Sequence, residues 1–216
     1  MRGVPSTPPN FKANVKEALA DEQLQNALAN IKNGFVRNRR IASERLAEFE
    51  ALRDQARDIK THTIEHLDVY LEIYQQNVEA SGGQVHWAMD EVEARKIILE
   101  ICQNADAKTV TKGKTMIGEE IGINEYLEEN GIEPIETDLG EYIIQLRGEM
   151  PSHIIAPATH VSKEQVADAF KETHTELDAD RSLEDADDLL AEARAMLRDK
   201  FIQADVGITG ANFLIA

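Results

Sequence analysis

Between Thr109 and Pro157 short apolar runs alternate with helical patterns, and this alternation leaves few architectures open. The runs are Thr109–Thr111, Gly131–Pro134 and His153–Ala156. Strand, helix, strand, helix, strand is the order of a parallel sheet, whose ligands sit beyond the carboxyl ends of the strands. Polar residues follow each run: Lys112-Gly113-Lys114-Thr115, then Glu136-Thr137-Asp138, then the turn from Pro157 to His160. They fall where that rule puts a site.

The flanks are helical. Val15, Ala18, Leu19, Ala27, Leu28 and Ile31 predict a helix from Phe11 to about Lys32, punctuated by Gly34. A second helix runs from about Asn38 to Ile59 on a stripe of Leu46, Phe49, Leu52, Ala56 and Ile59. A third carries Ile64, Leu67, Leu71, Tyr74 and Val78, spacing that buries one face, and ends at Gly82-Gly83. Residues 1–60 therefore read as a helical extension and 61–216 as an α/β domain. Gln84–Met89 is a first strand candidate, followed by a helix that Asp90 caps and that buries Ala94, Ile97, Ile98 and Ile101. Ser162 and Gln165 form a capping box before Val166, Ala169 and Phe170. Residues 175–188 are acidic and loop-like; Leu183, Ala186, Leu190, Ala193 and Leu197 mark a last long helix. The closing ADVGITGANFLIA is strand-like, and its apolar end predicts an incomplete sheet with an exposed edge and a tendency to self-associate.

Charge and cysteine content exclude some functions. Residues 1–60 carry 11 Lys/Arg against 8 Asp/Glu, and the remainder 12 against 32, out of a net charge of -17. So acidic a body is a poor partner for nucleic acid, where neutralising phosphate supplies most of the affinity. The basic run at Arg37–Arg40 reads as a solvated helix start. No uncharged apolar run reaches membrane-spanning length and the first residues lack an apolar signal core, so a cytoplasmic chain without a membrane span is expected. The single cysteine, Cys102, lies in the apolar pattern IILEIC and reads as core. One thiol forms no internal disulfide and holds no iron–sulfur cluster, which takes about four.

The candidate chemistry lies at the strand ends. Gly113-Lys114-Thr115 invites a phosphate-loop reading, but that motif needs a glycine five residues earlier, where Lys108 stands. Lys112, Lys114 and Thr115 could still hold a small carboxylate or phosphate, or be solvated. Glu136, Thr137 and Asp138 could serve catalysis, while Asp138 with Glu141 equally fits a helix cap. Lys114 could instead pair with Glu136 or Asp138. His153 and His160 match no known zinc spacing, so no metal site is assigned. Thr209, Gly210 and Asn212 form a tight turn suited to ligand contact or to a bend. Lys112, Lys114, Thr115, Glu136, Thr137, Asp138, His160, Thr209, Gly210 and Asn212 are thus expected on or near one rim.

Several long segments together carry a resemblance: LRDQARDIKTHTIEHLDVYL at 52–71, NVEASGGQVHWAMDEVEAR at 77–95, KGKTMIGEEIGINEYLEENGIEPIETDLGEYIIQL at 112–146, PSHIIAPATH at 151–160 and ADVGITGANFLIA at 204–216. The chain resembles the N-terminal half of the B-type lactate-utilisation iron–sulfur proteins, in the lactate-utilisation (LUD) domain family. The resemblance implies a parallel α/β sheet similar to the NagB/RpiA/CoA-transferase group. It also implies a part in oxidising L-lactate to pyruvate with two partner subunits. Such proteins continue into a cysteine-rich, ferredoxin-like region that binds [4Fe–4S] clusters, so clusters are expected there and not in these 216 residues. The family supplies no catalytic residue. Two further readings stay open: a free-standing enzyme of the CoA-transferase/sugar-phosphate-isomerase fold group, and a scaffold domain.

Overall fold

The computed structural model describes residues 8–149, 151–152 and 156–210. In chain order the helices before the sheet are α1 (Phe11–Ala20), α2 (Glu22–Ile31), α3 (Arg37–Glu44), α4 (Phe49–Glu65) and α5 (Leu67–Ala80). Then come α6 (Glu91–Asn104), β1 (Thr109–Lys112), α7 (Met116–Glu120), α8 (Ile123–Glu129) and β2 (Glu133–Glu136). The chain continues through α9 (Leu139–Arg147), α10 (Lys163–Thr173), α11 (Ala186–Gln203) and β3 (Val206–Ile208). The described residues form two compact units, one of residues 28–87 and one of 8–27 with 88–210.

In the first unit the helical stripes are real but at most half-covered: Leu71, Tyr74 and Val78 are half-buried. None of the residues of α3, α4 and α5 is buried. Ile59 and Ile64, expected on covered faces, are 67% and 71% exposed. Three short helices offer too little second layer to cover an apolar stripe. The helix boundaries also differ from the sequence reading. The second expected helix breaks after Glu44, and α4 runs past Ile59 to Glu65 before His66 (φ -124°) separates it from α5. Gln84–Met89 is not a strand. Trp87 Nε1 donates to Gln75 Oε1 at 3.0 Å in this unit, while the Met89 amide donates to Glu93 Oε2 at 2.7 Å in the other. Alternation without a neighbouring strand to pair with does not make a ladder.

The second unit holds the sheet. The expected helix from Phe11 to Lys32 is broken at Asp21, whose backbone is extended and whose carboxylate accepts from the Leu24 amide at 3.0 Å, capping α2. Among the described residues the sheet has three parallel strands in the order β2-β1-β3, so it is an α/β arrangement with a small sheet. The expected run at Gly131–Pro134 is displaced to Glu133–Glu136. Gly131 has φ +76° and ends α8, with the Ile132 amide on the Leu127 carbonyl at 3.0 Å. The run at His153–Ala156 lies largely outside the described residues, as does the expected tail Phe213–Ala216. In the closing segment the strand is Val206–Ile208, which lies beside β1 at one end of the strand order among the described residues.

Successive strand residues face opposite ways, and the core divides accordingly. Val110 is fully buried among Leu99, Cys102, Ile123, Leu127 and Ile132, on the α6 and α8 side. Ile135 packs with Tyr142, Phe170, Leu189, Ala193 and Leu197, on the α9, α10 and α11 side. Cys102 is core, as read from the sequence. The buried face of α6 is turned from the expected one, toward Leu99 and Cys102, and Ile101 is 43% exposed. Leu183 is buried from the loop, three residues before α11 begins. Among the described residues no helix is long and apolar enough to cross a membrane.

The capping box that opens α10 is complete: the Gln165 amide donates to Ser162 Oγ at 3.3 Å, and the Ser162 amide donates to Gln165 Oε1 at 2.8 Å. Replacing Ser162 by alanine orphans one of these donors. It should lower unfolding free energy by about 1 kcal/mol, read as a shifted urea midpoint at unchanged slope.

Candidate functional site

Parallel pairing aligns the strand ends. Lys112 and Glu136 are register partners at the last position of β1 and β2. Period-two alternation puts Lys112 on the same face as Val110, so its side chain runs under α7 and α8 instead of into water. It is 1% exposed. Its Nζ donates to Glu119 Oε1 and lies 2.8 Å from Glu136 Oε1. Glu136 Oε1 also accepts from Asn124 Nδ2 at 2.7 Å, and the Glu136 amide donates to Gln145 Oε1 at 3.0 Å. Burial works to push the Lys112 pKa down; the hydrogen bonds and charges of Glu119 and Glu136 outweigh it and hold the pKa above the usual lysine value.

Lys114 is placed differently. Its Nζ lies 3.4 Å from Asp138 Oδ2 and 3.5 Å from Glu141 Oε1, and its side chain is 33% exposed. Lys114 thus pairs with carboxylates at the start of α9. Burial, and next the charge of Glu136, raise the Glu141 pKa. Asp138 accepts from the Gly140 and Glu141 amides and caps α9. Thr115 Oγ1 accepts from the Gly118 amide at 3.1 Å and caps α7. Thr137 Oγ1 donates to the Lys112 carbonyl at 2.9 Å. Three of the candidate polar groups are therefore engaged with backbone.

The turn after β3 joins this rim. The Gly113 amide donates to the Ile208 carbonyl at 2.7 Å, and a Cβ on Gly210 would stand 2.8 Å from Thr115 Cα and 2.9 Å from the Lys114 carbonyl. Only a glycine lets the chain pass so close. Thr209 is beside Gly113. Lys112, Lys114, Thr115, Glu136, Thr137, Asp138, Thr209 and Gly210 thus gather at one end of the sheet. Asn212 lies outside the described residues. His160 does not join them through its side chain. Its Nδ1 pairs with Ser152 Oγ at 2.8 Å and its Nε2 with Glu149 Oε2 at 3.0 Å, beyond the C-terminal end of α9, whereas the rim meets the N-terminal end.

Sequence reasoning passed over four residues of the rim: Glu119, Asn124, Gln145, and Glu141, read only as part of a cap. Their shared signal is a polar residue on a short helix beside a parallel strand, too common to single them out. A second buried polar network, Tyr142, His174, Glu192 and Arg181, also went unread. Among the described residues no group of His, Cys, Asp and Glu could hold a metal ion.

The LUD domain family matches residues 71–216. The chain is 42% identical over 207 residues to Lactate utilization protein B of Bacillus licheniformis, covering 95% of this chain and 43% of that protein. It is 42% identical to the protein of the same name in Bacillus subtilis strain 168, over 95% of this chain and 42% of the relative. Against that of Macrococcus caseolyticus the identity is 41%, over 95% and 43% of the two chains. The chain thus spans less than half the length of these relatives. No solved structure matches it.

Proposed function

This chain belongs to the LUD domain family, and on that premise we propose that it is the ligand-binding and docking portion of an iron–sulfur subunit in a multi-subunit system that oxidises L-lactate to pyruvate. The observation that carries this reading is the match along nearly the whole chain to proteins named for lactate utilization. The partners in this reading are two further lactate-utilisation subunits, and its setting is the cytoplasm. The small parallel sheet, flanked by helices, supports a fold of the NagB/RpiA/CoA-transferase kind. A [4Fe–4S] cluster does not fit these residues: the sequence has one cysteine, and Cys102 is 1% exposed in the core. Electron transfer would fall to the part of the longer relatives that lies outside the match.

The rim at the carboxyl ends of the strands is the ligand site in this reading, with Lys114 as the accessible cation. Deleting the gene that encodes this chain should abolish growth on L-lactate as sole carbon source and leave growth on a sugar intact. Reintroducing the gene should restore it. Undiminished growth of the deletion strain on L-lactate would overturn the assignment.

A further inference from the structure

The rim is short of hydrogen-bond donors. Asn124 Oδ1, Glu136 Oε2 and Glu141 Oε2 are buried without a partner among the described residues, and all three are acceptors. The Glu136 and Glu141 side chains are only 4% and 12% exposed. Buried acceptors are seldom left unmet in folded proteins, so three together at a strand-end rim point to a missing donor. Charge adds a second constraint. Lys112 and Lys114 meet four carboxylates, Glu119, Glu136, Asp138 and Glu141. Two cations against four anions repel a further anion unless a proton comes with it.

Position selects the group that takes this proton. Gln145, one turn along α9 from Glu141, bonds both the Glu136 amide and the Pro134 carbonyl, which lays that face of the helix against the end of β2. Glu141, on the same helix, is near enough for the charge of Glu136, after burial, to raise its pKa. Lys114, with two long bonds and a third of its side chain exposed, can change partners without crossing the core; Lys112 cannot.

We infer that the rim takes a small hydroxylated carboxylate, its carboxylate on Lys114, its hydroxyl donating to the Glu136–Glu141 acceptors, and one proton taken up on Glu141. The choice of a 2-hydroxy acid as ligand rests on the lactate-utilisation reading; the need for a donor and a proton does not.

The test is calorimetry on the 216-residue chain with L-lactate, propionate and pyruvate, in mildly acidic and mildly alkaline buffers of different ionisation heat. L-Lactate should bind about tenfold or more tighter than propionate, which lacks the hydroxyl, or pyruvate, whose keto oxygen only accepts, because a hydrogen bond to a charged group is lost with either. Its binding should take up a proton and tighten toward acid pH. Glu141→Gln, the neutral mimic of the protonated carboxyl, should remove the proton uptake and the pH dependence and keep the preference for L-lactate, with a thermal melt showing that the variant folds. Equal binding of L-lactate and propionate by the wild-type chain, or no binding of any of the three, overturns the inference whatever the variant does. A growth defect on deletion together with equal binding would leave the pathway assignment standing and sink this one.

Discussion

Exchanging Lys112 for methionine should destabilise the chain by about 3–5 kcal/mol, the usual cost of leaving one member of a buried ion pair behind. Methionine nearly matches lysine in volume, so little of the loss comes from a cavity. The cost arises at Glu136, which is 3% exposed and, among the described residues, would keep Asn124 alone as a side-chain donor. Neutralising that carboxylate as well, in Lys112→Met with Glu136→Gln, should recover much of the loss, since an amide needs no counter-charge. The pH profile gives a separate check. The Lys112 pKa is raised above its ordinary value, so its contribution is fully present below the unfolded lysine pKa, about 10.4, and is lost as pH rises through the folded value. The alkaline limb of wild-type stability should therefore steepen relative to the variant. Urea unfolding at several pH values measures both effects. A loss below about 1 kcal/mol would mean that the pair behaves as a solvated surface bridge.

What could be read from the sequence was mostly local. Asp90, Asp138 and Ser162 were legible as caps because a cap needs only neighbours two or three residues away. Those caps also explain why part of the expected site is engaged with backbone. Helix starts present free amides, and Asp138 and Thr115 satisfy them before any ligand does. The parallel order of β1 and β2 followed from the apolar runs and the helical pattern between them, and the strand ends came together as the sheet rule requires. The segment Gln84–Met89 failed because a strand needs a partner, and no pattern within six residues says whether one is present. The stripes on α4 and α5 predicted amphipathic helices correctly and overstated burial, which reaches only half at Leu71, Tyr74 and Val78, since periodicity reports which face is apolar and not what covers it. The involvement of Asn124 and Glu141 depended on how α8 and α9 settle on the strands, which is a property of the packed unit.

The most distant contacts were the least legible, and they set the last expectation. Arg181 donates to both oxygens of Glu192, at 2.6 and 2.9 Å, and to the Asp178 and Phe170 carbonyls at 2.8 and 3.1 Å. It thereby ties the loop before α11 to both α10 and α11. Glu192 also pairs with His174 Nδ1 at 2.7 Å, and His174 Nε2 with the Tyr142 hydroxyl at 2.8 Å. Burial, then the charges of Glu176 and Glu192, push the Tyr142 pKa up to about 12, so its hydroxyl keeps its proton. The carboxylate of Glu192 can only accept, so His174 Nδ1–H donates to it. The Glu192 pKa is held below the ordinary carboxylate value, first by the Arg181 hydrogen bond, against burial, and then by His174. A depressed carboxylate stabilises the fold above its unfolded pKa, about 4.3, and that stability is lost as pH falls through the folded value. Arg181→Met removes the leading cause. It should cost about 2–3 kcal/mol near neutrality, within the range for hydrogen bonds to a charged group. The difference from wild type should shrink as the pH is lowered and Glu192 takes up a proton. Urea unfolding across the acid range tests this: a gap that stays constant with pH would assign the loss to packing of the arginine stem and sink the electrostatic account.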